Sequence, residues 1–240
     1  MSSITTIGSA GRWMAMAIVA LGCSLPGMVA TVVAAAEPPP EWDGLLRVPD
    51  KGADHLYVRR GVDFAKYSQL QIEPVQIAFD EQQTSIGTGR NPARRLSASD
   101  MEQIRATLAR EFHSIFENEL TRGGYTLTSQ DGDNVLRVTP AIVNLYVAGQ
   151  TRPTSGRGRL YVASSGHMTL VLELRDSVSG QLLARVVDTA HGRRSGNFAV
   201  PSTPVATLAD ARDALTHWAG SLLTALNYAK QSGGTAVAEK

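Results

Sequence analysis

Cysteine is almost absent: the 240 residues hold one, Cys23. A disulfide scaffold and a Cys-ligated zinc module are both excluded. Excess charge is lacking too, with 23 Lys+Arg against 22 Asp+Glu and a formal net charge of +1. A dedicated nucleic-acid binder carries a clear positive surplus, so nucleic acid is not an expected partner. Aromatic residues are few, at 6%, but 43% hydrophobic and 19% charged residues are those of a folded chain, not of a disordered tail. After residue 40 no apolar run of membrane length occurs and no internal repeat is visible.

Familiar catalytic patterns are missing as well. The five histidines are His55, His113, His167, His191 and His217. None has the i, i+4 partner and glutamate of a zinc protease helix. Gly87-Thr88-Gly89-Arg90 and Gly156-Arg157-Gly158 are too short for dinucleotide loops, and no P-loop lysine follows a glycine run. Asp131-Gly132-Asp133 lacks the further ligands of a calcium loop and reads as a turn. No cofactor and no metal site is expected. One weak constellation remains: Asp188 and His191 with a nearby serine such as Ser195, which would make an envelope hydrolase. No Gly-x-Ser-x-Gly elbow accompanies it.

What is present begins with an address. In residues 1–36 Arg12 is the only charged side chain; an apolar run from Trp13 and the small residues Ala34-Ala35-Ala36 follow it. Those are the parts of a secretory signal, and cleavage after Ala36 is the preferred reading. Two rivals stay open. Ala20-Leu21-Gly22-Cys23 resembles a lipoprotein box, which would put lipid on Cys23. An uncleaved helix from Trp13 to Ala36 would be long enough to span about 30 Å of hydrocarbon. All three export the remainder, to the periplasm or to the outer membrane as an anchored lipoprotein. Membrane association follows only from lipidation or an uncleaved signal.

The exported part divides into a leader or linker over 37–55, one domain over 56–231 and a disordered tail over 232–240. Trp42 and Leu45-Leu46 dock the leader onto the domain. Ser99-Asp100-Met101-Glu102 reads as a capping box. The stripe Met101, Ile104, Leu108, Phe112, Ile115, Phe116 and Leu120 makes the first helix, closed by Gly123-Gly124. A second helix starts near Thr207 or Asp210, with Leu208, Ala211, Leu215, Trp218, Leu222, Leu226 and Ala229 on its stripe. His113 and His217 flank these stripes and read as ordinary half-buried residues. Strands are predicted over 70–79 and 135–147, each broken by a proline, and over 167–175 and 182–188 as a hairpin. The fold class is therefore α+β: a mostly antiparallel sheet with two amphipathic helices packed on one face.

Arginine gathers in loops. Arg90, Arg94 and Arg95 precede the first helix; Arg152, Arg157 and Arg159 share a Gly/Ser-rich stretch; Arg193 and Arg194 follow the hairpin. Guanidinium forks pair with phosphate and carboxylate, so Arg152, Arg157, Arg159, Arg193 and Arg194 are candidate anion- or partner-binding residues. The partner would be an envelope component: a protein, a lipid headgroup or peptidoglycan.

Three stretches carry a resemblance. They are Trp42-Asp43-Gly44-Leu45-Leu46, then Leu56-Tyr57-Val58-Arg59-Arg60-Gly61-Val62-Asp63-Phe64-Ala65-Lys66-Tyr67, then Leu70-Gln71-Ile72-Glu73-Pro74-Val75. Together they resemble the bacterial envelope family called domain of unknown function 3313. The resemblance implies a secreted or lipid-anchored envelope protein without an established activity, and transfers no catalytic residue. Members are typically predicted lipoproteins; Ala20 and Leu21 depart from the usual box. The functional expectation is a non-enzymatic binding or assembly protein in the periplasm or at the outer membrane.

Overall fold

The computed structural model describes residues 37–81, 96–147, 161–162, 166–192, 200–201 and 204–231. The chain divides into two units, Met1–Glu37 and Pro38–Lys240, and every described element belongs to the second. Ala36, Cys23, the signal segment and the tail from 232 lie outside the described residues.

The order is β1 (Glu41–Trp42), β2 (Leu45–Val48), β3 (His55–Val58), a 3-10 turn (Phe64–Lys66), β4 (Gln69–Ile72), β5 (Gln76–Phe79), α1 (Ala98–Arg122), β6 (Thr126–Leu127), β7 (Val135–Val147), β8 (Tyr161–Val162), β9 (Gly166–Asp176), β10 (Leu182–His191), β11 (Val200–Pro201) and α2 (Pro204–Gln231). Nine strands form one sheet in the order β1-β2-β3-β10-β9-β7-β4-β6, with β5 also on β7; β8 and β11 pair separately. β4 and β5 run parallel to β7, and β4 parallel to β6; the other pairs are antiparallel.

Alternation builds the layers. Leu136, Val138 and Ile142 of β7, Leu170, Leu172 and Leu174 of β9, and Ala184 of β10 point to one face. There they meet Leu108, Phe112, Phe116 and Leu120 of α1 and Leu215, Trp218, Leu222 and Leu226 of α2 in one core. Both helices thus cover one face of a mostly antiparallel sheet, the expected α+β arrangement. The residues of opposite parity, Arg137, Glu173, Arg175 and Arg185, form ion pairs on the other face. Residues 41–48 are sheet strands: Asp43 and Gly44, both at positive φ (55° and 74°), make the two-residue turn between β1 and β2.

The structure corrects three local readings. The first helix is capped by Ser97, not Ser99. The Asp100 N–H donates to Ser97 Oγ at 3.1 Å, and Asp100 Oδ2 accepts from the Ser97 N–H at 3.0 Å. Two overlapping Ser-x-x-acid frames compete. The earlier one also places Leu96 and Met101 at the hydrophobic staple positions, and both join the core. Glu102 pairs with Arg105 instead. The second helix begins at Pro204, because proline at the first helical position brings its fixed φ and no unsatisfied N–H.

The third correction is β7, which runs unbroken through Pro140. The Glu73 N–H donates to Val138 O, so Val138 and Pro140 aim their backbone polar groups at β4 and β5. Those two strands are themselves separated at Pro74, where no ladder bond is required of Pro140. Further along β7, Asn144 takes a left-handed φ of 52° as a one-residue bulge. Both neighbours record it: Val143 to Tyr146 faces Thr169 to His167, and Ile142 to Leu145 faces Ile77 to Phe79.

Candidate functional site

The bulge decides what one end of the sheet displays. It turns Leu145 into the core, 6% exposed, and brings Tyr146 into register with His167. His167 pairs in turn with His191 of β10. The Tyr146 and His167 rings stack at 5.3 Å, and the His167 and His191 rings lie 6.2 Å apart. His167 Nε2 is 3.9 Å from Asp80 Oδ2, and the Asp80 N–H donates to Leu145 O at 3.0 Å. A small cavity of about 50 Å³ opens here between the strand ends and Thr207, Asp210 and Ala211 of α2.

Gly166 closes the row. Its φ is 142°, and a side chain there would run into Tyr146 O. The ends of β5, β7 and β10 and the start of β9 are therefore held side by side. From this edge the chain continues into the segments that carry the candidate arginines. Arg90, Arg94, Arg95, Arg152, Arg157, Arg159, Arg193 and Arg194 themselves lie outside the described residues.

The Asp188–His191 constellation is not assembled among the described residues. Asp188 Oδ2 accepts from Trp218 Nε1 at 2.7 Å and Oδ1 from the Asp54 N–H at 3.0 Å. Asp54 returns the contact by accepting from the Thr189 N–H at 3.0 Å. Asp188 thus anchors α2 and the approach to β3, while His191, three residues on, sits tilted beside the His167 ring. Ser195 lies outside the described residues. Among the described residues no group of three or more His, Cys, Asp or Glu is placed to hold a metal ion. His113 packs edge-on against Phe112, and His217 is exposed.

Sequence reasoning missed two buried polar centres. Asp176 accepts from Tyr67 Oη at 2.8 Å, Lys66 Nζ at 3.0 Å, and the Ser179 N–H and Oγ at 2.9 Å each. These bonds, led by the Ser179 N–H, hold its carboxyl well below the usual range. Burial pushes the Tyr67 phenol up. The second centre is Arg185, 7% exposed, stacked 4.0 Å from the Trp42 ring and paired with Glu173 and Asp43. Burial raises the Glu173 carboxyl, but Arg185 and Arg175 more than offset this and keep it below its ordinary value. Motif residues signalled both: Tyr67 and Trp42-Asp43 belong to the stretches that carry the family resemblance. So do Gly61, at φ 72°, and Asp63, whose carboxylate accepts from the Ala65 N–H at 2.8 Å to start the 3-10 turn. The motif is a set of turns, caps and buried pairs.

Among the described residues no helix is long and apolar enough to cross a membrane. Solved structures to which this chain shows similarity include PelC from Paraburkholderia phytofirmans, crystallised as a dodecamer. It is 14% identical, with a TM-score of 0.35, over 71% of this chain and 95% of that one. A DUF330 protein from Xanthomonas campestris is 12% identical, with a TM-score of 0.35, over 69% and 87%. A minor lipoprotein from Acinetobacter baumannii is 13% identical, with a TM-score of 0.32, over 68% and 94%. Among curated proteins none matches the sequence. The family described as Protein of unknown function (DUF3313) matches residues 41–222, from β1 into α2. The motif stretches and their structural roles fall inside that span, and the chain belongs to this family.

Proposed function

We propose that this is a non-enzymatic cell-envelope protein that binds an anionic envelope component at the Tyr146–His167–His191 end of its sheet. The observation that carries the reading is the register there. β5, β7, β9 and β10 meet at one end of the sheet, and three stretches of chain beyond it carry only positive charge. Residues 82–95, 148–165 and 193–199 contain eight arginines and no Asp or Glu. The rest of the chain is therefore net acidic, although the whole is nearly neutral. Asp80, Glu81 and Asp210 are carboxylates at the base of this end, and against eight arginines they leave the surplus positive.

Arginine forks bind phosphate and carboxylate in bidentate geometry, and several together bind anions that a single surface pair would not. The matching chemistry in an envelope is the phosphate of a lipid headgroup, the carboxylate of peptidoglycan or the acidic face of a protein. Supporting the non-enzymatic part, the buried carboxylate Asp176 and the half-buried Asp188 and Glu173 are spent on structural bonds.

Export to the periplasm or to the outer membrane belongs to the same proposal. Intact mass of the protein from its native fractions separates a start at Glu37 from an acylated Cys23. Co-sedimentation tests the binding against vesicles bearing lipid A, vesicles of anionic phospholipid, and peptidoglycan. At least one is bound, and replacing Arg157, Arg159, Arg193 and Arg194 with Ala weakens that binding by about tenfold or more. Unchanged association of the variant with all three removes the arginine segments from the account.

A further inference from the structure

A second feature lies away from the arginine end, between α2 and the β3 side of the sheet. A cavity of about 100 Å³ is walled by Phe64, Leu172, Leu174, Trp218, Leu222 and Leu226. Ser221, Ala225 and Ala229 make the helix side shallow. The cavity adjoins a surface groove of about 920 Å³, with Asp50, Gly52, Leu56, Ser221 and Ala225 lining both. Tyr228, 58% exposed, and His217 stand at its rim.

From this we infer a binding site for one unbranched hydrocarbon chain of an amphiphile. Three observations set the ligand class. The deep part is walled by hydrocarbon apart from Asp188, whose two oxygens accept from Trp218 and Asp54; Asp50 and Ser221 sit on the side shared with the groove, so a polar ligand group would be stranded at depth. The lining runs along α2 from Trp218 to Ala229, about 16 Å at 1.5 Å per residue. A cavity of about 100 Å³ takes a few methylenes, and a fused ring system would overfill it. The open rim places a polar head among Thr216, His217 and Tyr228, in water.

Trp218 is also the reporter. Titration with stearate brominated along its chain is expected to quench Trp218 fluorescence saturably, with a one-to-one adduct in native mass spectrometry. Ala225→Phe fills the cavity, and Gly220→Leu blocks the groove at a position where an added Cβ meets no atom within 4 Å. Each is expected to weaken the chain at least tenfold while the thermal midpoint stays within a few degrees. Absence of saturable quenching overturns the inference, as does equal binding by both variants. So does a site that takes a naphthalene dye and rejects the chain. The four-arginine variant keeps this binding, so failure here and failure of the anion proposal are read separately.

Discussion

Tyr125 shows how much one residue is asked to tolerate. Its hydroxyl is buried without a hydrogen-bond partner, burial pushes its phenol up to about 12, and Lys230 Nζ lies 3.8 Å over its ring. An unmet buried hydroxyl costs about 1 kcal/mol or more, so Tyr125→Phe is expected to leave the protein as stable or more so in denaturant unfolding. Asp176 is the opposite case. Its folded pKa is depressed, so its stabilisation is present in full above about pH 4, its ordinary range, and fades as pH falls through the lower folded value. Asp176→Asn should lose about 2 kcal/mol at pH 7. The gap between native and variant stability should close in unfolding curves taken below pH 4. The role of Asp176 was not legible beforehand, because the side chains that reach it are distant in sequence: Tyr67 meets it across 109 positions.

At the scale of elements, stripe and alternation were enough to place both helices and the β9–β10 hairpin. Boundaries were harder where two local solutions overlap, as at Ser97 and Ser99. Ser97→Ala should cost about 1 kcal/mol, and Ser99→Ala less, in thermal unfolding. Pro140 misled for a different reason: a proline interrupts a strand only when its missing N–H was needed, and that depends on the neighbouring strand. Gly123 was read as a helix stop, and it also serves the crossing of α1 and α2. A side chain there would overlap Leu223. Gly123→Ala is expected to destabilise by about 1–3 kcal/mol, and Leu223→Ala in the same chain to recover part of that loss.

For the whole molecule, composition concealed the informative quantity. A net charge of +1 describes a chain in which eight arginines fall in three segments without acidic residues. The segments were visible in the sequence; their common origin at one sheet edge was not, because it follows from β7, β9 and β10 pairing and from the Asn144 bulge. The hydrolase alternative shared the same blindness. Asp188 and His191 are near in sequence, but Asp188 is committed to Trp218.

The central claim is that this edge binds anions through its arginines, and salt tests it most directly. Affinity for lipid A vesicles, or for whichever anionic component is bound, is to be measured at rising ionic strength for the native protein and the four-arginine variant. The account predicts a steep fall for the native protein, a shallower one for the variant, and convergence at about 1 M salt, where screening reaches about 3 Å. Affinity that is independent of salt and identical in the two proteins would contradict it.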